Sequence, residues 1–384
     1  MILPGATLGV LGGGQLGRMF TVAALTMGYK VMVLDPDPNS PAGLIASEHL
    51  HADYHDPAAF ERLATECAAI TTEFENVPAD VMRQLAQRCI VRPCGDAVAI
   101  AQDRAAEKTF LREHGLQTAP FAVVNTADDL AAAIGVTGLP ALLKISRFGY
   151  DGKGQAKVNS LAEAQQAFAD MGNNVCVLEK LLPLKQELSI VLARDAQGNT
   201  ACYPASENSH SQGILDITIV PARVSEAVAE QARDMATRIA NELDYCGVLA
   251  VEFFLLEDGS LVVNEMAPRP HNSGHYTLDA CHTDQFEQQV RALCGLPLGD
   301  TRLLSPVVMV NLLGDVWGDS QPNWEAVLRH PQIKLHLYGK LAAKPGRKMG
   351  HFNCVAATQK EALALALQAR HDIGINTKPH LLDV

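Results

Sequence analysis

Between residues 7 and 100, short apolar runs alternate with stretches of helical periodicity. TLGVLGG reads as a strand and GRMFTVAALTMGY as a helix. KVMVLD with AAFERLATE, then CAAITTEF with ADVMRQLAQR, repeat the pair. Strands that are apolar throughout are covered on both faces, and strands joined through helices run parallel. This stretch therefore has to fold as a parallel sheet clothed in helices. Such sheets take their ligands beyond the carboxyl ends of the strands. Two loops fall there, Gly12 to Gly17 and Glu73-Phe74-Glu75-Asn76.

The first loop has the spacing Gly12-x-Gly14-x-x-Gly17, and Asp35 ends the next strand eighteen residues later. That matches a dinucleotide fingerprint, with the acid placed for a ribose hydroxyl. The same geometry, backbone N–H groups at a helix N-terminus, serves any phosphate. Spacing alone leaves both readings open.

Past Asp103 the rhythm changes. RAAEKTFLREHG is a charged amphipathic helix closed by Gly115. A β-rich stretch follows: LPALLKIS, GQAKV, NVCVLEKL, ELSIVLARD, ACYPASE and ILDITIVPA. Next come the long helix VSEAVAEQARDMATRIANEL and the hairpin GVLAVEFFLLEDGSLVVNEM. From about residue 297, short strands and Pro/Gly turns surround one helix, KEALALALQARHDI. The expected layout is a parallel α/β domain (1–102), a central two-lobed unit (103–296) and a small β-rich C-terminal domain (297–384).

The 384 residues suffice for two or three domains. A net charge of −12 argues against a general nucleic-acid binder, which needs a basic face. The nine cysteines form no Cys-x-x-Cys pair and read as reduced cytosolic thiols. MILPGATLGVLGGG lacks a basic n-region and reads as a strand entering a turn, not a signal peptide. No apolar run approaches the ~18 residues of a membrane helix. A soluble cytoplasmic protein with no membrane partner is expected.

The hairpin's geometry can be worked out. With Asp258-Gly259 as a two-residue turn, Glu257 faces Ser260, Phe254 faces Val263, Phe253 faces Asn264 and Glu252 faces Glu265. Two carboxylates opposed on adjacent strands repel unless neutralised. Their hard oxygens suit Mg²⁺, which takes one or two carboxylates plus nucleotide phosphates. Apolar neighbours on both sides, LAVEFF and LVVNEM, argue against a solvated sheet face. Asn264 adds a neutral oxygen, although alternation points it to the other face unless the strand ends there.

KISRFGYDGKGQ, residues 144–155, lodges three glycines and Lys153 between two strands. This fits a loop laid over phosphates, and equally a mobile hairpin. Lys144 favours the former, because an ammonium closing an apolar strand needs an anion. VLEKLL, residues 177–182, fits a strand edge that reads adenine, with Glu187 for ribose hydroxyls. It fits as well an ordinary strand before Pro183. APRPHNSGHYT, residues 267–277, crowds Arg269, His271, Asn272 and Ser273 into a loop leaving the carboxylate-bearing strand, a natural catalytic position suited to a small oxyanion. His271-x-x-x-His275 lacks the third ligand a zinc site requires. Lys340, Lys344, Arg347 and Lys348 fall within nine residues, a phosphate site or a solvated basic turn. His49, His51 and His55 read as surface or core histidines.

GGGQLGRM, EFEN, GYDGKGQ, EFF…NEMAPRPHNSGH and PGRKMGH occur in this order over nearly the whole chain. In this the chain resembles the ATP-grasp superfamily, and within it the 5-(carboxyamino)imidazole ribonucleotide synthases of purine biosynthesis. The resemblance implies a Rossmann-like N-terminal domain that binds no NAD, a two-lobed ATP-grasp domain and a β-rich C-terminal domain, usually as a homodimer. It implies carboxylation of the exocyclic amine of 5-aminoimidazole ribonucleotide by ATP and bicarbonate through carboxyphosphate, with Mg²⁺ and no zinc. ATP would meet Arg104, Lys144, the loop Gly149, Tyr150, Asp151, Gly152, Lys153, Gly154 and Gln155, the hinge Glu179, Lys180, Leu181 and Leu182, and Glu187, His210, Asn264 and Glu265. Glu252 and Glu265 would bind Mg²⁺. The ribonucleotide would meet Glu73 and Tyr150, with its phosphate at Lys340 and Arg347 and near Gln15 and Lys348. Arg269, His271 and Asn272 would surround bicarbonate, and Lys153 would supply charge where many relatives carry arginine. His271 or Glu73 would manage the amine proton. The competing readings are another ATP-grasp ligase acting on a ribonucleotide, and an NAD-dependent dehydrogenase.

Overall fold

The computed structural model describes residues 1–149, 154–318, 320–379 and 381. The N-terminal alternation becomes a parallel sheet of β1 (Thr7–Leu11), β2 (Lys30–Leu34), β3 (Glu48–Leu50), β4 (Ala69–Thr72) and β5 (Ile90–Val91), ordered β3-β2-β1-β4-β5. The three apolar runs are its three central strands. The edges β3 and β5 span three and two residues, too short to give a pattern in the sequence. β1 pairs with both β2 and β4, so the chain order switches there. The glycine loop after β1 and the Glu73 loop after β4 consequently emerge side by side, where such sheets bind ligands.

One face of this sheet packs Leu8, Val10, Val31 and Val33 against Phe20 and Ala24 of the helix Gln15–Thr26. Phe286, Val290 and Leu293 of the helix Gln285–Cys294 close the same cluster. That second helix arrives from the far end of the central unit. It ties the two units through side chains each worth about 1.5–3 kcal/mol when fully buried.

The first central lobe is an antiparallel sheet of β6 (Phe121–Val124), β7 (Ala141–Ile145), β8 (Gln155–Val158) and β9 (Cys176–Lys180), ordered β6-β9-β7-β8. The second sheet takes β10 (Leu184–Arg194), β11 (Thr200–Cys202), β12 (Ser206–Ser211), β13 (Ile214–Val220), β14 (Gly247–Leu256) and β15 (Leu261–Ala267). The helix Glu226–Glu242 lays Ala232, Ala236 and Ile239 on Ile190, Leu192, Leu249 and Val251. β16 (Val307–Leu313) pairs with β13, and β17 (Ile333–Leu337) and β18 (Lys348–Val355) follow, so the C-terminal strands extend the same sheet. ACYPASE does not form one strand. β11 stops at Cys202 and β12 starts at Ser206, with Pro204, which has no N–H to donate, between them. β12, SENSHS, has no apolar residue and gave no strand signal. No helix among the described residues is long and apolar enough to cross a membrane.

The β14–β15 hairpin departs from its expected register twice. Leu256 and Ser260 close a three-residue loop, the Leu256 N–H donating to Ser260 O at 2.9 Å, with Gly259 at φ +84°. This moves every pair by one, so Phe253 faces Val263 and Phe254 faces Val262 instead of the expected partners. A β-bulge at Asn264 then moves the register back, and Glu252 does face Glu265. The bulge also frees Asn264 from strict alternation, bringing it onto the face of its neighbour.

Candidate active site

The ends of β1 and β4, the first lobe and the β14–β15 hairpin wall a single cleft of about 720 Å³. It gathers Gln15, Glu73, Arg104, Lys144, Gly149, Gln155, Glu187, His210, Glu252, Asn264, Glu265, Arg269, His271, Asn272, Lys340, Arg347 and Lys348. Gly154 and the stretch Glu179, Lys180, Leu181 and Leu182 are not on its wall. Tyr150, Asp151, Gly152 and Lys153 lie outside the described residues.

The glycine loop departs from the expectation that its N–H groups face phosphate. Gly13 N–H donates to Asp35 Oδ2 at 2.7 Å, Gly14 N–H to Glu73 Oε1 at 2.5 Å and Gly17 N–H to Glu73 Oε2 at 2.8 Å. A helix N-terminus favours an anion, and here the anion is the chain's own carboxylate, delivered by the neighbouring strand. The glycines are required for this approach. A Cβ at Gly12 would lie 2.5 Å from Glu73 Cγ, and one at Gly14 2.5 Å from Glu73 Oε1. Burial raises the Glu73 carboxyl above the ordinary range although two N–H bonds and Lys340 oppose this. Lys340 Nζ donates to Gln15 Oε1 and, at 2.7 Å, to Lys348 O. Arg347 donates to Ala342 O at 2.8 Å.

Across the cleft, burial and the opposing charge of Glu265 raise the Glu252 carboxyl above the ordinary range. Burial acts on Glu265 too, yet Arg104 and Lys144 hold it below the ordinary range, and Arg104 Nη1 donates to Glu265 Oε2 at 2.8 Å. Asn264 Oδ1 is buried without a protein donor. Two opposed carboxylates and an orphaned amide oxygen fit a hard divalent cation. No group of three or more His, Cys, Asp or Glu side chains converges among the described residues. Phosphate oxygens and water would therefore complete the shell of Mg²⁺, the usual manner of that ion.

Lys144 Nζ donates to Glu179 Oε2 at 3.1 Å, and Lys108 Nζ lies 3.3 Å from the same oxygen. Burial opposes ionisation of Glu179, but the two ammonium groups bring it down to about 2. Its side chain is thus the counterion that keeps Lys144 in a buried position. Lys108 and Glu107 were missed in the sequence. Arg104, Glu107 and Lys108 sit at i, i+3 and i+4 on the helix Arg104–Glu113, and that spacing was the available signal. Glu107 and Lys108 are buried and Arg104 half-buried, where an amphipathic reading puts charge into solvent. Burial and nearby Glu265 raise Glu107 to about 8, and it accepts the Met266 N–H. His210 Nδ1 lies 2.5 Å from Glu187 Oε2. Burial disfavours its charge, but that carboxylate raises it to about 9.

Arg269 forks Glu75 through Nε and Nη2, the latter at 3.1 Å, joining the loop after β15 to the loop after β4. Glu75 was also missed; its place in the EFEN loop was the only hint. Asn272 is 6% exposed, and neither its Nδ2 nor its Oδ1 has a protein partner. His271 and His275 turn to different partners, His271 Nδ1 to Ser273 Oγ at 2.8 Å and His275 Nδ1 to Gln285 Nε2 at 3.0 Å. His49 and His51 contact the backbone oxygens of Asp35 and Pro36 at 3.2 and 3.0 Å.

A cleft between two β-lobes, closed by a parallel α/β unit and carrying a carboxylate pair beside buried lysines, is the architecture of an ATP-grasp ligase. Family models match in order: the ribonucleotide synthetase preATP-grasp domain at residues 5–102, the ATP-grasp domain at 109–286 and the phosphoribosylaminoimidazole carboxylase C-terminal domain at 307–365. The N5-carboxyaminoimidazole ribonucleotide synthase of Bacillus subtilis (strain 168) is 45% identical over 361 residues, 94% of each chain. The ADP complex of an N5-carboxyaminoimidazole ribonucleotide synthetase superposes with a TM-score of 0.90 at 42% identity, covering 97% of this chain and 98% of that one. The Aspergillus clavatus synthase in complex with ADP and 5-aminoimidazole ribonucleotide gives 0.88 at 32% identity, covering 96% and 98%. The chain belongs to the family of N5-carboxyaminoimidazole ribonucleotide synthases.

Proposed function

We propose that the enzyme carboxylates the exocyclic amine of 5-aminoimidazole ribonucleotide with ATP and bicarbonate, giving 5-carboxyaminoimidazole ribonucleotide, ADP and phosphate in purine biosynthesis. The supporting observation is the convergence in one cleft of the pair Glu252/Glu265, the group Arg269/His271/Asn272 and the basic set Lys340/Arg347/Lys348. These would serve nucleotide phosphates, bicarbonate and the ribonucleotide phosphate in turn.

Mg²⁺ bound at Glu252 and Glu265 would neutralise charge on the transferred phosphoryl group. Lys144, held by Glu179, and Arg104 add fixed positive charge on the nucleotide side. Arg269, oriented by Glu75, and the unpartnered amide of Asn272 position bicarbonate for in-line attack on the γ-phosphoryl group. Carboxyphosphate, or the carbon dioxide it releases, then meets the amine. A nitrogen–carbon bond forms, phosphate departs and the amine proton passes to His271 or Glu73. Tyr150, Asp151, Gly152, Lys153 and Gly154 with Gln155 would cover the phosphates and exclude water. Glu187 and His210, both on the cleft wall, would border the ribose.

The test is phosphate release from Mg·ATP by the purified protein, with and without 5-aminoimidazole ribonucleotide and bicarbonate. Release that requires the ribonucleotide and rises with bicarbonate is the expected result. Release driven by another ribonucleotide would make this an ATP-grasp ligase with a different acceptor. NADH binding without ATP binding would bring back the dehydrogenase.

A further inference from the structure

His271 is held from behind as well as facing the cleft. Its Nδ1 accepts the backbone N–H of Ser273 at 3.3 Å and lies 2.8 Å from Ser273 Oγ. A ring nitrogen that accepts a backbone N–H carries no proton, so the Ser273 hydroxyl must donate to it as well. Ser273 Oγ lies 2.8 Å from Ser189 Oγ, and the proton between them then comes from Ser189. Ser189 in turn accepts from Asn208 Nδ2 at 2.9 Å, and Asn208 Oδ1 accepts from Thr218 Oγ1 at 3.1 Å. Reversing the Asn208 amide would draw the Ser189 proton away and leave two buried serine oxygens facing each other without one. The chain thus has one direction, and it delivers a donor to Nδ1 at 2.8 Å, the same demand that the longer contact of the Ser273 backbone N–H makes there.

The fold supplies this row. Ser189, Asn208 and Thr218 lie on the adjacent strands β10, β12 and β13, with Asn208 directly opposite Thr218. Ser273 stands on the short turn Asn272–Gly274. All four side chains are buried, where an unmatched polar atom costs about 1–3 kcal/mol. Low dielectric and directional donation make such a chain cooperative.

We infer that the chain Thr218–Asn208–Ser189–Ser273 fixes His271 as its Nε2–H tautomer, so that the ring donates a hydrogen bond into the cleft and accepts none there. Nε2 already lies 3.4 Å from Glu252 Oε1. Resting on the proposed function, the recipient is an oxygen of bicarbonate or of carboxyphosphate, and the amine proton is left to Glu73. Ser189, Asn208 and Thr218 act through His271 and are positioning residues.

The first measurement is a long-range proton–nitrogen NMR spectrum of the full-length enzyme labelled at its histidine rings, with His271 assigned by its loss in His271→Gln. Nδ1 bare and Nε2 protonated at neutral pH is the expected result; the reverse overturns the inference, and neither outcome depends on substrate. Asn208→Asp replaces the donor to Ser189 with an acceptor. It is expected to draw the Ser189 proton away, move His271 toward the Nδ1–H form and raise the KM for bicarbonate about tenfold, with the KM for ATP unchanged. Ser273→Ala should raise the same KM, and Ser273→Thr should restore it. If the tautomer is as inferred and neither variant moves the bicarbonate KM, the donor role toward bicarbonate is overturned while phosphate-release data on the acceptor still stand.

Discussion

Glu179 illustrates how a residue's neighbours decide its work. In the sequence it sits mid-strand in VLEKLL, and nothing within several residues marks it as an ion-pair centre. Folding brings Lys108 from a helix and Lys144 from β7 to a single carboxylate oxygen, within 3.3 and 3.1 Å. Removing one partner of a buried pair leaves uncompensated charge, which costs about 3–5 kcal/mol. Glu179→Gln should therefore lower the urea midpoint strongly at pH 7. Its folded carboxyl titrates near 2 against an ordinary 4.5, so the stabilisation is present above about 4.5 and disappears as pH falls through about 2. The gap between wild type and Glu179→Gln should shrink as midpoints are followed from pH 7 to pH 3. A constant gap would refute the ionic origin. The Glu73 carboxylate gives a second residue-scale prediction. Gly12 stands at φ +98° with Glu73 Cγ on its open side, so Gly12→Ala displaces the carboxylate as well as straining the turn. Turnover should drop at least tenfold, with ATP affinity retained in calorimetry.

At the scale of the element, the β14–β15 hairpin holds the clearest lesson. An Asp-Gly pair between apolar runs signals a two-residue turn. The chain forms instead the three-residue loop with glycine at positive φ, and local sequence does not separate the two, since both need the same glycine. The resulting slip is undone at Asn264, so Glu252 still meets Glu265. The expected pairing at the site was right because two departures cancel. Gly259→Ala, at φ +84°, should cost about 1 kcal/mol in unfolding experiments and leave kcat untouched. Asn264→Ala removes the orphaned oxygen beside the carboxylates. It should weaken Mg·ATP binding about tenfold by calorimetry, with binding of metal-free ATP little changed.

Across the whole molecule, the cleft exists because two loops at the switch point of the parallel sheet face the end of a hairpin from another unit. The Arg269–Glu75 fork and the helix Gln285–Cys294 hold those parts together. Arg269→Lys keeps the charge and loses the fork. Bicarbonate KM should rise more than tenfold and the melting temperature should fall, because the same fork joins the two loops, as measured by steady-state kinetics beside a melting curve. Chelation should abolish phosphate release and added Mg²⁺ should restore it. The sequence by itself determined the parallel N-terminal sheet, the hairpin with its opposed carboxylates and the crowded loop 267–277. Periodicity, turn residues and strand pairing act over short chain separations, so their consequences can be read locally. Tertiary structure decided what those groups face: Glu73 fills the glycine loop, Arg104 holds Glu265, Lys340 reaches Gln15 and a row of three strands sets the His271 proton. Each of these contacts joins residues far apart in the chain, and a hydrogen bond or ion pair has no direction until the fold brings both partners to one place.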